Sequence, residues 1–370
     1  MMDKLRIPFR SQPVRFVSRL PLLLACFTSI ALLLGAAPRV YSQDAVSKTW
    51  AVTIVLPPKL VAGRPATLAV LGVDGRLAEG IIINLGSHSG IDVRVKTDKT
   101  GRAVFLAPTD TSVLIVKASG AAAAALVDPP SASNSKKNEI WLPPVVSRID
   151  AFPICSGAFH GEAEANHVKL NDDPALVLAA SPECLVILPG PRAEPGPANI
   201  SIETGDDTPY AGTTTLVTLH FDPPMPPLVP EKKSTLMLHV QGANIPIRIL
   251  AENKTPGVLH FIHGDSQEVL TSGGAQNAAT IQIQTLSTGD FSFHARILQN
   301  PDPQTARRYL EAAQPLATKD LQSQIQSLVK QLAHNPRDTR KVSAELEKIL
   351  SYTIAGDFRT LLESARAALE

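Results

Sequence analysis

Ile91-Asp92-Val93-Arg94-Val95-Lys96 alternates apolar and polar residues without a break. Thr97-Asp98-Lys99-Thr100-Gly101 then turns the chain into Ala103-Val104-Phe105-Leu106. Successive side chains of a strand point to opposite faces, so this pattern makes half-buried strands joined by a turn, not helix. The same reading extends outward in both directions. Trp50-Ala-Val-Thr-Ile-Val-Leu56 is β-branched and stops at Pro57-Pro58. Pro65–Leu71 leads to the turn at Asp74-Gly75, and Ile81–Leu85 follows. Ser112–Lys117 and Ala122–Val127 close the unit around Ser119-Gly120. The alanine run at 121–125 favours helix by propensity, but Gly120 and Pro129 bracket it too tightly for a stable one. Short strands at this spacing predict an antiparallel sandwich over 48–128.

The bulk composition fits. Aromatics are only 5% of the chain and proline reaches 31 residues, which suits small aliphatic cores and stiffened loops. At the N-terminus, five basic residues up to Arg19 precede an apolar run from Leu20 to Ala37. That is the layout of a secretory signal peptide over 1–42, with cleavage after Val40-Tyr41-Ser42; the rival is an uncleaved membrane anchor. Six of the 35 basic and one of the 34 acidic residues lie in 1–42, leaving 29 and 33, or a net charge of −4. A mildly acidic mature chain has no electrostatic footprint for nucleic acid and no polybasic attraction to lipid. Membrane attachment is expected only through an uncleaved N-terminal segment, and the location is extracytoplasmic: periplasm, secreted or cell surface. Two cysteines remain beyond the leader, Cys155 and Cys184. In an oxidising compartment they form a disulfide or remain two buried thiols, and spacing leaves both open.

Thr97-Asp98, Gly101-Arg102-Ala103-Val104-Phe105 and Pro108 place a tight turn ahead of a core strand. On these residues the first unit resembles bacterial Ig-like domains of cell-surface proteins. Residues 129–146, polar around Pro129–Lys137, read as a linker, with Ile140-Trp141-Leu142 packing on a neighbouring domain. Over 147–203 strands are expected at Ile149–Cys155, Val168–Leu170, Ala175–Ala180, Leu185–Leu188 and up to Ile202. Gly157/Phe159/Gly161, Ser181-Pro182 before a Leu-Val-Ile strand, and Pro195-Gly196 before the last strand make this segment similar to IPT/TIG domains. The resemblance implies an Ig-like fold with a binding or spacing role and no catalytic residue. The segment is short, so it is either trimmed or borrows strands from the next one.

A third sandwich is expected over 205–298, with strands at Thr213–Phe221, Ser234–Val240, Ile245–Ala251, Val258–Ile262, Ala279–Thr285 and Phe291–Leu298. Asp222–Pro230 is a polyproline-type connector. Beyond Pro301 the period changes. Asp302-Pro303 starts a helix, and Leu321, Ile325, Leu328 and Leu332 share one face. Asn335-Pro336 restarts a helix, and Gly356-Asp357 caps a last one. The segment 301–370 is thus a helical bundle or hairpin whose apolar stripes meet each other, the preceding sandwich, or a second copy in a homo-oligomer. The fold class is mainly β: tandem Ig-like antiparallel β-sandwiches followed by C-terminal helices.

Reactive constellations are sparse. His260-Phe-Ile-His263-Gly-Asp265 puts its histidines on opposite faces of a strand, the wrong geometry for joint ligation. His160 and His167 flank Glu162 and Glu164 without further zinc-spaced ligands. Ser272-Gly273-Gly274 lacks the lysine and helix of a phosphate loop and reads as a turn. Asp172-Asp173 and Asp206-Asp207 lack the periodicity of a calcium loop. Asn199 and Asn253 sit in glycosylation sequons that matter only in a eukaryotic host. No catalytic, cofactor-binding or metal residue is assigned. The expected function is a non-catalytic exported envelope or extracellular protein, acting by binding, adhesion or spacing toward a protein or glycan partner. The alternative is a secreted hydrolase or carbohydrate-active protein that assembles His160, Glu162, His167 and the 260–265 region between domains.

Overall fold

The computed structural model describes residues 52–87, 92–130, 140–205, 209–222, 231–262 and 264–370. The expected leader, Trp50, most of the polar 129–137 stretch, Asp206-Asp207, the proline-rich 223–230 and His263 lie outside the described residues. The fold is mainly β, with three successive antiparallel Ig-like sandwiches and four C-terminal helices.

The first sandwich contains β1 (Thr53–Val55), β2 (Lys59–Val61), β3 (Pro65–Leu71), β4 (Ile82–Ser87), β5 (Asp92–Lys96), β6 (Arg102–Leu106), β7 (Val113–Ala118) and β8 (Ala121–Asp128). One sheet is β1-β3-β6 and the other β2-β8-β7-β4-β5. Leu60, Leu68, Val70, Ile83, Phe105 and Val116 fill the space between them. The turn after Lys96 carries the chain from one sheet to the other. Asp98 holds it by accepting from the Thr100 hydroxyl and amide, both at 2.7 Å, and the Thr100 hydroxyl keeps the Asp98 carboxyl below its ordinary pKa. Gly101 has φ +70°, and a Cβ there would strike the Leu77 backbone. Among the described residues of the expected strand at 50–56, Thr53–Val55 pairs with β3. β2 carried no sequence signal: it has three residues and pairs parallel to β8.

The second sandwich uses β9 (Val145–Ser147), β10 (Phe152–Cys155), β11 (His167–Leu170), β12 (Asp173–Ala180), β13 (Cys184–Leu188), β14 (Gly196–Glu203) and the first half of β15 (Tyr210–Phe221). Its core is Phe152, Ile154, Val168, Leu170, Leu185, Ile187, Ile200 and Ile202. Tyr210–Leu216 pairs with β14, and Thr218–Phe221 pairs with the first strand of the third sandwich. A single 12-residue strand therefore serves two units, and pairing runs on across position 205. Residues from Ile140 onward are not free linker: Ile140 and Leu142 pack on the second core, and β9 pairs parallel to β15.

The third sandwich continues with β16 (Lys233–Gln241), β17 (Arg248–Asn253), β18 (Leu259–Phe261), β19 (Ser266–Leu270), β20 (Ala278–Thr285) and β21 (Phe293–Ile297). The sheet β15-β16-β20-β18 faces β19-β17-β21 across Leu236, Leu238, Ile249, Phe261, Ile281 and Ile283. Phe261 stacks on Phe293 with ring centroids 5.4 Å apart. The sequence Ser266-Gln-Glu-Val-Leu hid β19, because only Val269 is buried.

The first two sandwiches are tied by backbone carbonyls that meet side chains across the junction. β12 bulges between Val177 and Ala179. There the Val177 carbonyl accepts from Arg102 Nε (3.1 Å) and Nη2 (2.6 Å). Thr67 Oγ1 donates to the Gly161 carbonyl, and Ser181 Oγ donates to the Lys59 carbonyl. A Cβ at Gly161 would collide with the Pro65 carbonyl, so the approach demands glycine.

At the same junction Glu183 is half-buried. Burial first, then Asp128, pushes its carboxyl above the ordinary value, against the opposing pull of Lys59 and Arg308. The folded state then binds this proton more tightly than the unfolded chain. Stability falls as pH rises from the unfolded carboxylate range to the raised folded value and is flat above it. Glu183→Gln is expected to remove that fall, so denaturation midpoints of variant and wild type should diverge upward from about pH 4 in the variant's favour. Parallel curves across that range count against the assignment.

Four helices follow: α1 (Pro303–Ala313), α2 (Lys319–His334), α3 (Thr339–Tyr352) and α4 (Asp357–Ala367). Asp302 caps α1, its carboxylate accepting from the Gln304 and Thr305 amides. α3 begins at Thr339, since Asn335–Asp338 form a turn first. Asp357 makes no side-chain cap; its carboxylate lies 2.5 Å from Lys117 Nζ on β7. Ile325, Leu328 and Leu332 are buried and Leu321 is partly so.

The apolar stripes meet one another and the outer face of the first sandwich, through Val113, Ile115 and Leu126. Of the expected alternatives, the stripes do meet each other, but the sandwich they join is the first and not the preceding one, to which the Arg296–Glu370 ion pair links the tail. Arg308 pairs with Asp128 at 2.5 Å and Tyr309 Oη donates to the Ala124 carbonyl at 3.3 Å. The stripe residues are covered within the chain, so an oligomer through them has no open apolar face at those positions.

Candidate binding cleft

Trp141 is set by strand alternation. Its amide donates to the Cys155 carbonyl at 2.7 Å, and the Cys155 amide returns a bond to the Trp141 carbonyl at 3.1 Å. The Pro143 carbonyl accepts from Thr214 Oγ1, and the Pro144 carbonyl from the Thr215 amide. Residues 140–144 thus run as an extra extended segment on the second sandwich. Period two sends Ile140 and Leu142 inward and leaves the Trp141 indole outside, 47% exposed. Of Ile140-Trp141-Leu142, expected to pack on a neighbouring domain, Ile140 and Leu142 pack on the core of the second sandwich. The anchoring strand is stapled: Cys155 and Cys184 are register partners of β10 and β13 and form a disulfide, with Cα atoms 4.1 Å apart.

Trp141 forms one wall of a cleft of about 510 Å³. The other walls come from the exit of the third sandwich (Gln299, Asn300, Pro301), the start of α1 (Asp302, Gln304, Arg307) and the end of α2 (Leu332, Ala333, Pro336). Gln299 Nε2 donates to the Val145 carbonyl at 3.0 Å, which fixes one wall to the next. Asp302 is held through its own amide by the Ala368 carbonyl at 2.7 Å. Arg307 Nε lies 3.2 Å from Glu311 Oε1 and is itself buried, with no hydrogen-bond partner among the described residues. The Asn300 and Gln304 side chains make no hydrogen bond among the described residues.

A second cavity, also about 510 Å³, lies between the first sandwich and α1 and α4. The Lys117–Asp357 ion pair crosses it, with Arg308 on its wall, so its charged groups already hold the helices to the sheet.

Among the described residues, those singled out from sequence are not gathered in either cavity. His160, Glu162 and His167 are exposed on the second sandwich, whereas His260 is on β18 of the third. The loop at 160–166 is organised by buried Asn166, which accepts from the His160 amide and donates to the His160 and Glu162 carbonyls. Asp173 pairs with Arg192 at 2.9 Å, and Asp172 is exposed at φ +69°. Gly273 and Gly274 take positive φ in a turn whose Gly273 amide donates to Asn277. Asn253 is buried and donates to the Leu259 carbonyl.

The sequence reading passed over a cross-strand cluster on the third sandwich. His220 and His239 are register partners, and Asp222 lies 3.6 Å and 2.8 Å from them. Among the described residues no group of three or more His, Cys, Asp or Glu side chains is arranged to hold a metal ion.

No family model and no curated protein matches the chain. Solved structures similar to it include SGBP-B of the Bacteroides ovatus mixed-linkage glucan utilization locus, in complex with a mixed-linkage heptasaccharide. It is 11% identical, with 65% of this chain and 72% of that one covered and a TM-score of 0.24. The plexin A4 extracellular region is 12% identical, covering 65% of this chain and 32% of that one, with a TM-score of 0.26. The insect immune protein hemolin is 11% identical, covering 64% and 76%, with a TM-score of 0.22. At TM-scores of this size no ligand, activity or family passes from those proteins to this chain.

Proposed function

We propose that the mature chain is a non-catalytic binding protein of the cell envelope or exterior, and that the cleft under Trp141 is its site for a glycan or protein ligand. The observation that carries this reading is the exposed indole. An aromatic of this size, left outside by alternation and facing unpartnered amides, is the kind of anchor that binding surfaces use. The disulfide and the secretory pattern of residues 1–42 support a location outside the cytoplasm. The IPT/TIG resemblance of 147–203 rests on its motif residues and agrees with a binding or spacing role.

The test is a panel of immobilised neutral oligosaccharides, acidic oligosaccharides and proline-rich peptides, probed with wild-type protein and Trp141→Ala. Retention of wild type on at least one probe, lost in the variant while its thermal transition is unchanged, is the expected result. Equal behaviour of the two proteins on every probe overturns the reading.

A further inference from the structure

Resting on that reading of the cleft, we infer that its ligand is a neutral oligosaccharide. A pyranose ring has one apolar face of C–H groups and a rim of hydroxyls that both donate and accept. A matching site needs an apolar plane beside hydrogen-bonding groups of both kinds. Trp141 supplies the plane. Asn300 and Gln304 are exposed carboxamides without internal partners, and each offers a donor and an acceptor to the same space.

The charges argue for a neutral ligand. The Asp302 carboxylate already accepts from two amides at the start of α1, and the Arg307 guanidinium lies beside Glu311. The pairing of Arg307 with Glu311 leaves no net positive charge facing the cleft to draw a phosphate or a uronate. The volume of about 510 Å³ falls within the range of small-molecule sites and suits a short oligosaccharide.

The chain has two tryptophans, Trp50 and Trp141, so Trp50→Phe makes Trp141 the sole indole reporter. This protein is titrated with maltohexaose, cellohexaose and chitohexaose, with an oligogalacturonate and a proline-rich peptide as contrasting probes. The expected result is a saturable change in Trp141 emission with at least one neutral hexasaccharide and none with the oligogalacturonate. In otherwise wild-type protein followed by calorimetry, Trp141→Ala and the double variant Asn300→Ala/Gln304→Ala should each weaken that affinity at least ~10-fold. Both sets of side chains are on the surface, and unchanged unfolding midpoints separate lost contacts from lost fold. A Trp141-dependent response to the peptide or the oligogalacturonate, with none to the neutral sugars, overturns this inference and leaves the binding reading standing. No Trp141-dependent response to any probe overturns both.

Discussion

Leu310→Ala is expected to destabilise the protein by roughly 2–5 kcal/mol, the range for emptying a fully buried leucine site. Leu310 on α1 has no exposed surface, and its cluster takes residues from all four helices together with Val113, Ile115 and Leu126 of the first sandwich. Collapse around the missing methyls is opposed from both sides. The sheet is fixed by its hydrogen-bond ladders, and the helices are pinned by the Arg308–Asp128 and Lys117–Asp357 pairs. The cost therefore falls on the junction as well as on the bundle. Denaturant unfolding should show the loss, and hydrogen exchange should speed up in β7, β8 and α1 together. Faster exchange confined to the helices, with β7 and β8 unaffected, would mean that the tail and the sandwich are independent. The same packing predicts that removing 301–370 uncovers Val113, Ile115 and Leu126, so such a truncation is not a neutral test of what the tail binds.

Cys155→Ala with Cys184→Ala is expected to cost about 3–4 kcal/mol in the loop-entropy account, because the bridge closes a loop with a sequence separation of 29 in the unfolded chain. Both cysteines are buried, so the unlinked alanines also lose apolar contact. Reduced wild type should unfold near the midpoint of the double variant, and oxidised wild type well above both. Coincident midpoints for oxidised and reduced protein would show that the bridge does not stabilise the fold. The bonds from Cys155 to Trp141 are made by the backbone and survive the substitution. Ligand affinity should therefore change far less than stability, provided the assay is run below the lowered unfolding midpoint.

The relation between sequence and structure differs from one part of the molecule to the next. Strand positions such as Pro65–Leu71 and Ser234–Val240, the turn at 97–101 and the helix start at Asp302 were legible because alternation, turn chemistry and capping are local. β2 and β19 escaped for a local reason too: one has three residues, and the other has a single buried side chain. The binding cleft was not legible. Its walls come from positions 141, 299–307 and 332–336, which carry no shared motif and meet only when three units converge. Trp141 stood out in a polar stretch, but alternation alone does not say which side of an unassigned strand faces water.

By itself, the amino-acid sequence determined that this chain makes sandwiches and then helices, since period two and period 3.6 are written in neighbouring residues. The tertiary structure alone decided that one strand, β15, would belong to two sandwiches. It alone decided that the helical tail would return to the first sandwich rather than rest on the third, and that an indole would be left facing unpartnered amides. The physical reason is that burial of an apolar stripe is non-directional. Val113, Ile115 and Leu126 satisfy the helices as well as any nearer surface would, and only the packing of the whole chain selects among such partners.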